Sequence, residues 1–196
     1  MAENVRDEIS DEDLLASICN ADQRAFEIFY KRYYQRLFRF SYRVTRRLDL
    51  IEEVINDVML VVWNKSASFN NEAKVSTWIL GIAYKKCLKA MSDRGQTELV
   101  SLDEFEELVP GVRDSAMQRV ELDDWLEAAL SRISPEQRAV LELTYHHGMH
   151  YSEIADMLGC PENTVKTRVF HARKKLQSLV EELNDSSPFE HNGESL

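Results

Sequence analysis

The residues of this chain best suited to chemistry lie between Glu162 and Lys175, where five Lys/Arg stand against one Glu. Asn163, Thr164, Thr167, Phe170 and His171 are interleaved with them. Cations that neutralise phosphate, mixed with side chains that hydrogen-bond to base edges, suit duplex DNA. Such residues work only if one rigid element presents them together. Val165, Val169, Ala172 and Leu176 recur at i, i+4, i+7 and i+11, the apolar stripe of a helix. Asn163, Thr164, Lys166, Thr167, Arg168, His171 and Arg173 fall on its polar side, and Glu162 opens its first turn after Pro161. Just upstream, Tyr151, Ile154, Ala155 and Leu158 mark a shorter helix, and Gly159 follows where a C′ residue belongs. Two helices about a short glycine-containing turn form a helix-turn-helix pattern, whose second helix enters a major groove.

Two other constellations were weighed. His146, His147 and His150, with Cys160 nearby, have the look of metal ligands. No carboxylate or second cysteine stands at ligand spacing, so neither a metal nor another cofactor is expected. No Ser/His/Asp set and no phosphate-cradling glycine loop is present either, which argues against an enzyme.

Composition bounds the elements that carry the helix-turn-helix. The chain has 196 residues, 44% of them hydrophobic, with three Trp, seven Tyr and eight Phe, enough for one domain or two small ones. Six Gly, four Pro and no alternating runs point to an all-α protein. Apolar runs fall short of the ~20 residues that cross a bilayer, and the acidic start MAENVRDEISDED is unlike a signal peptide. Cys19, Cys87 and Cys160 are odd in number and far apart, as in a reduced, cytoplasmic protein without membrane contact.

The net charge of −10 is unusual for a DNA binder. The charge is segregated, however. Arg24 to Arg47 holds eight Lys/Arg against one Glu, whereas Glu98 to Glu127 holds ten Asp/Glu against two Arg. A chain with basic faces and an acidic middle meets DNA after a partner supplies affinity or hides the acid.

In chain order, residues 1–10 form a flexible tail, and a first helical domain spans 11–94. Asp11 to Asn20 is a short capped helix. A longer one from Ala21–Asp22 carries Phe26, Phe29, Tyr33, Leu37, Phe40 and Val44 on one face and Lys31, Arg32, Arg36, Arg39 and Arg43 on the other. That basic stripe suits solvent, a polyanion or an acidic partner. Asp49 to Asn64 is a third helix, with Ile51, Val54, Ile55, Val58 and Val62 inward and Glu53, Asn56, Asp57, Leu60 and Asn64 along a ridge. Lys65 to Ser76 is a polar loop. Thr77 to Met91 is a fourth helix, Trp78, Ile79, Ile82, Ala83 and Leu88 inside and Lys85, Lys86 and Lys89 outside. Loop, tryptophan and lysines together suit single-stranded nucleic acid. Residues 95–120 read as an acidic flexible linker and 121–183 as the helix-turn-helix domain, with helices at Asp123–Ile133 and, after the Ser134-Pro135-Glu136 cap, Gln137–Tyr145. Residues 184–196 are expected to be a disordered tail.

This order resembles that of a bacterial sigma factor of the extracytoplasmic-function (ECF) group, from about Asp11 to Leu183. The family's acidic docking pattern on the third helix appears as Leu50-Ile51-Glu52-Glu53-Val54-Ile55-Asn56-Asp57-Val58-Met59. The resemblance implies that Glu52, Glu53, Asn56, Asp57 and Leu60 meet the β′ clamp coiled coil of core RNA polymerase, with the β flap as a second contact. The block Thr77-Trp78-Ile79-Leu80-Gly81-Ile82-Ala83-Tyr84 is similar to the family's −10 reading segment. It implies that Lys74, Ser76, Thr77, Trp78, Lys85, Lys86 and Lys89 handle the melted −10 strand. Lys85 stands where the family often has Asn, which implies looser reading of a flipped base. From Tyr151 to Leu176 the pattern Tyr-x-Glu-Ile-Ala-x-x-Leu-Gly-Cys-Pro-x-x-Thr-Val-Lys-[Ser/Thr]-Arg-x-x-x-Ala-Arg-x-x-Leu is met at every fixed position. By that match Lys166, Thr167, Phe170 and His171 face the −35 element, and His171 replaces an Arg found in many relatives. The implied function is promoter recognition and melting with core polymerase, under an anti-sigma factor. The alternative is a stand-alone helix-turn-helix regulator, which would bind its promoter tightly without polymerase.

Overall fold

The computed structural model describes residues 9–94 and 129–186, and every regular element among them is helical. Helix α1 is Asp11–Cys19, capped by Ser10, whose hydroxyl accepts from the Asp13 amide. Helix α2, Gln23–Thr45, starts at Asp22, whose carboxylate accepts from the Arg24 and Ala25 amides, and stops at Arg46 in the left-handed region. A 3-10 turn, Leu48–Leu50, leads into α3, Ile51–Lys65. A second short turn, Ser66–Ser68, and a polar bend precede α4, Val75–Arg94. Residues 129–131 are helical. Helix α5, Pro135–Tyr145, opens with a capping box in which the Ser134 hydroxyl and the Gln137 side chain satisfy each other's backbone amides. Helices α6, Tyr151–Leu158, and α7, Glu162–Ser186, complete the described residues.

Helices α1–α4 enclose a dense apolar centre. Phe29, Leu37, Phe40, Tyr42, Ile55, Val58 and Ile79 are essentially sealed from solvent. Phe29 stacks on Tyr33 at 4.5 Å between ring centroids, and Phe26 meets Trp63 edge-on at 5.1 Å. Truncating a sealed phenylalanine such as Phe29 to Ala removes ~3–5 kcal/mol. The smaller centre of α5–α7 comes from Ala139, Val140, Leu143, Ile154, Val165, Val169 and Ala172.

The two-part helical architecture agrees with the reading of the sequence, but the two parts do not stand apart. Helix α2 packs on α5 and α4 on α6, so the apolar interior runs continuously from one group of helices to the other. Several boundaries shift by one to three residues. Helix α4 begins at Val75 rather than Thr77, and α7 runs on to Ser186, past the Leu183 at which the second domain was expected to end. Residues 1–8 of the expected 1–10 tail, the linker over 95–120, most of the Asp123–Ile133 helix and the last ten residues lie outside the described residues.

Candidate nucleic-acid interface

Helix α7 presents its polar side as the periodicity requires. Val165, Val169 and Ala172 are buried, while Lys166, Thr167, Phe170, His171 and Arg173 are exposed. Gly159, at φ 66°, makes the left-handed turn that ends α6 and swings α7 across it. Phe170 is the notable residue on this face. It keeps 61% of its surface in solvent and meets His171 edge-on at 5.5 Å. An exposed aromatic ring beside Lys166 and Arg173 has the chemistry to pack on an apolar group such as a thymine methyl. Lys166 pairs with Glu162 at 2.7 Å, one turn back, and Thr167 donates to the Asn163 carbonyl at 2.7 Å. Both pairs are surface interactions that a phosphate can displace. Arg168 differs from its neighbours. It is half-buried, and its positive charge partly offsets the burial that pushes the Tyr84 hydroxyl on α4 up, so in this arrangement it faces the first four helices.

The loop before α4 and the start of that helix form a second surface. Lys74, Thr77, Trp78 and Lys85 line one cavity of about 460 Å³ with Phe69, Asn70 and Ile82. Trp78 lies against Phe69 with 5.6 Å between ring centroids and is only half-buried, so an indole face borders the cavity. This gathers most of the residues expected to handle a melted strand. Ser76, Lys86 and Lys89 do not line it. Lys86, expected on the outer face, turns to α3 and pairs with Asp57 at 2.8 Å, because the packing of α3 on α4 brings that carboxylate within reach of its flexible stem.

The ridge on α3 is the third surface. Glu52, Glu53, Asn56 and Leu60 are exposed, and Leu60 keeps 57% of its surface in water. Glu53 pairs with Arg94 and Asp57 with Lys86. Leu60 is thus a large exposed apolar side chain set among carboxylates.

The region between the two groups of helices holds residues that sequence reasoning did not connect. Glu142 is buried, and Arg43 of α2 pairs with it at 2.7 Å. His146 Nδ1 lies 3.1 Å from the same carboxylate. The Arg36 guanidinium donates to His147 Nδ1 at 3.1 Å, and the Phe40 ring lies edge-on to this imidazole at 6.1 Å. Burial, then Arg36, His146 and Arg43, hold the His147 imidazole down at about 4, and a ring nitrogen that accepts from a guanidinium must be unprotonated. Nearby, Arg138 is buried, with its Nε lacking a hydrogen-bond partner among the described residues; burial and the neighbouring Arg46 lower it to about 10. Thus two of the histidines weighed as metal ligands serve an internal polar cluster, and no group of three His, Cys, Asp or Glu suited to a metal occurs among the described residues. The arginine stripe on α2 was the one signal for this contact. Its acidic partner lies 99 residues away in the same chain.

Comparison with known proteins agrees with the geometry. Residues 29–97 match the family model of sigma-70 region 2, and residues 123–176 match that of sigma-70, region 4. The ECF RNA polymerase sigma factor SigM of Mycobacterium tuberculosis H37Rv is 32% identical over 179 residues, covering 91% of this chain and 89% of its own. The ECF RNA polymerase sigma-E factor of Haemophilus influenzae is 23% identical, covering 90% of this chain and 98% of its own. Among solved structures, CnrH in complex with the cytosolic domain of CnrY superposes with TM-score 0.62 at 23% identity, over 88% of this chain and 97% of that one. The sigma factor RpoE in complex with the anti-sigma factor NepR from Bartonella quintana gives 0.61 at 24% identity, over 80% and 96%. A chain carrying both sigma-70 regions in order, with a relative this similar along nearly its whole length, belongs to the ECF group of RNA polymerase sigma factors.

Proposed function

We propose that this sigma factor, a promoter-specificity subunit without catalysis of its own, works through three surfaces. The α3 ridge of Glu52, Glu53, Asn56, Asp57 and Leu60 docks core RNA polymerase at the β′ clamp coiled coil. The cavity lined by Lys74, Thr77, Trp78 and Lys85 takes the melted downstream strand, by stacking on the indole and contact with phosphate. The exposed side of α7, led by Lys166, Thr167, Phe170 and His171, reads the upstream duplex. The observation that carries this reading is that Leu60 on α3 stands exposed beside carboxylates and Phe170 on α7 stands exposed beside cations, each next to charge of the sign its partner requires. The chain acts in the cytoplasm, and no helix of the described residues is long and apolar enough to cross a membrane. An anti-sigma factor is its regulator; the support is that a structure of similar fold holds a sigma factor with the anti-sigma factor NepR.

The test is in vitro transcription with core polymerase on a randomised promoter library. Wild type should enrich two separated elements. Glu53→Lys with Asp57→Lys should abolish holoenzyme formation while helicity is kept, since both residues point away from Val54, Ile55 and Val58. Normal core binding by the folded double variant would remove the α3 ridge from the reading.

A further inference from the structure

Two of the three carboxylates on the α3 ridge already have partners within the chain. Asp57 pairs with Lys86 at 2.8 Å and Glu53 pairs with Arg94, both cations reaching across from α4, which packs along α3. Glu52 stands exposed and makes no ion pair among the described residues. Three carboxylates less two cations leave the ridge a net −1, against −3 for the carboxylates alone. The pairs are also wet. Lys86 and Asp57 keep 25% and 42% of their side-chain surface in solvent, and Arg94 and Glu53 each keep 49%. Pairs so exposed are screened and weak, and each carboxylate can exchange its cation for another.

We propose that Lys86 and Arg94 are internal competitors of core RNA polymerase: they occupy Asp57 and Glu53 in the free chain and hold core affinity below what the ridge carboxylates alone would give. The inference rests on reading the α3 ridge as the polymerase contact. A lysine or arginine of a basic coiled coil reaches Asp57 or Glu53 only by displacing the internal cation or by sharing the carboxylate with it, and like charges brought that close repel. The attraction that steers a basic partner towards the ridge falls with the ridge's net charge, so the two cations also slow association and flatten its dependence on salt. The competition explains the placing of Lys86. Its ammonium serves the α3 ridge rather than the cavity at Trp78, which it does not line.

The test compares core binding by full chains, with fluorescently labelled core polymerase, no DNA and a series of salt concentrations. Lys86→Met with Arg94→Met keeps long side chains that favour a helix and removes both charges. This variant should bind core at least about threefold more tightly than wild type at low salt, with faster association and a steeper salt dependence. Lys86→Arg with Arg94→Lys keeps both charges and should bind as wild type does. Lys31→Met with Arg132→Met removes two cations from exposed pairs elsewhere, with Glu27 and Glu182, and should gain nothing. Should the Met variant lose helicity, Lys86→Gln with Arg94→Gln carries the same expectation. Equal or weaker core binding by the folded, charge-removed variant overturns the proposal, as does an equal gain in the Lys31 and Arg132 control. Glu53→Lys with Asp57→Lys separates the two failures. If it binds core normally, the docking reading falls and takes this inference with it; if it fails to bind while removal of Lys86 and Arg94 gains nothing, the inference falls alone.

Discussion

The two candidate DNA surfaces differ in what stands in front of them. The α7 face is open: Lys166, Phe170, His171 and Arg173 all point to solvent. The cavity at Trp78 is shared with Glu153, Asp156 and Met157, so its lysines face acid before they face DNA. A duplex can therefore be met at once, whereas a single strand meets carboxylates beside its lysines. This asymmetry suits a protein whose net charge of −10 disfavours free DNA binding. The difference also teaches that the same chain can crowd one site while displaying another.

The largest effect that sharpens the comparison is expected on the open face. Lys166→Ala should cost ~1–3 kcal/mol of upstream-element binding if the ammonium reads a base, with preference relaxed at one position. A phosphate contact would instead weaken all sequences alike and lower the salt dependence. Because this face is open, the loss should be the same in wild type and in an Arg43→Glu background, which breaks the pair with Glu142 between the two groups of helices. Footprinting holoenzymes on promoters varied at the upstream element measures it. A loss that depends on Arg43 would mean that the packing between the two groups governs α7.

How much of this was legible beforehand depended on range. The turn at Gly159 and the buried stripe of Val165, Val169 and Ala172 were readable because a helix-turn-helix is written in consecutive residues. The same holds for the α3 ridge, where Leu60 falls on the polar side of a regular helix. The contact between the two groups of helices was not readable. Periodicity put Arg36 and Arg43 on one face, but nothing local names Glu142 or His147 as the groups that face them. Lys86 shows the limit within one domain. Spacing placed it outside, and the neighbouring helix then captured its ammonium through Asp57. Arg168 shows the reverse, a residue matched to a DNA-binding motif that is half-buried here with its charge near Tyr84 of α4.

A smaller effect should follow pH. His147 is held neutral between the two groups of helices and lowered to about 4, mainly by burial, while Arg36 and Arg43 from α2 and His146 and Glu142 from its own half surround it. Once the halves part, the imidazole regains an ordinary value of about 6.5. The packed form therefore holds its full stability above about 6.5 and loses it as pH falls towards 4, because only the separated form takes up the proton readily. One unit below the ordinary value the loss is about 1.4 kcal/mol. Scattering should show wild type expanding on mild acidification and His147→Gln unchanged over the same range. An identical expansion in both would assign the transition to other groups.

The smallest effect is expected at Lys85, on the covered side. Lysine has three donors and no acceptor, so it holds a phosphate or an acceptor-rich base edge but cannot make the paired contact of an amide. It is exposed at the rim of the cavity, across from the carboxylates of α6. Lys85→Asn should therefore narrow base preference at one downstream position without a large change in overall rate. Lys85→Ala should leave preference broad and slow melting modestly, with a steeper loss at high salt as a phosphate contact disappears. The substitutions also bear on the packing of α6 against α4, because removing the ammonium takes a cation from opposite Glu153 and Asp156. In both variants the two groups of helices should then part slightly more readily than in wild type, the reverse of their effect on melting. Transcription from templates varied at each downstream position, read beside the scattering radius of each free chain, separates the two contributions. Identical base preferences in wild type, Lys85→Asn and Lys85→Ala would place Lys85 outside the strand's path and leave Trp78, Thr77 and Lys74 to hold it.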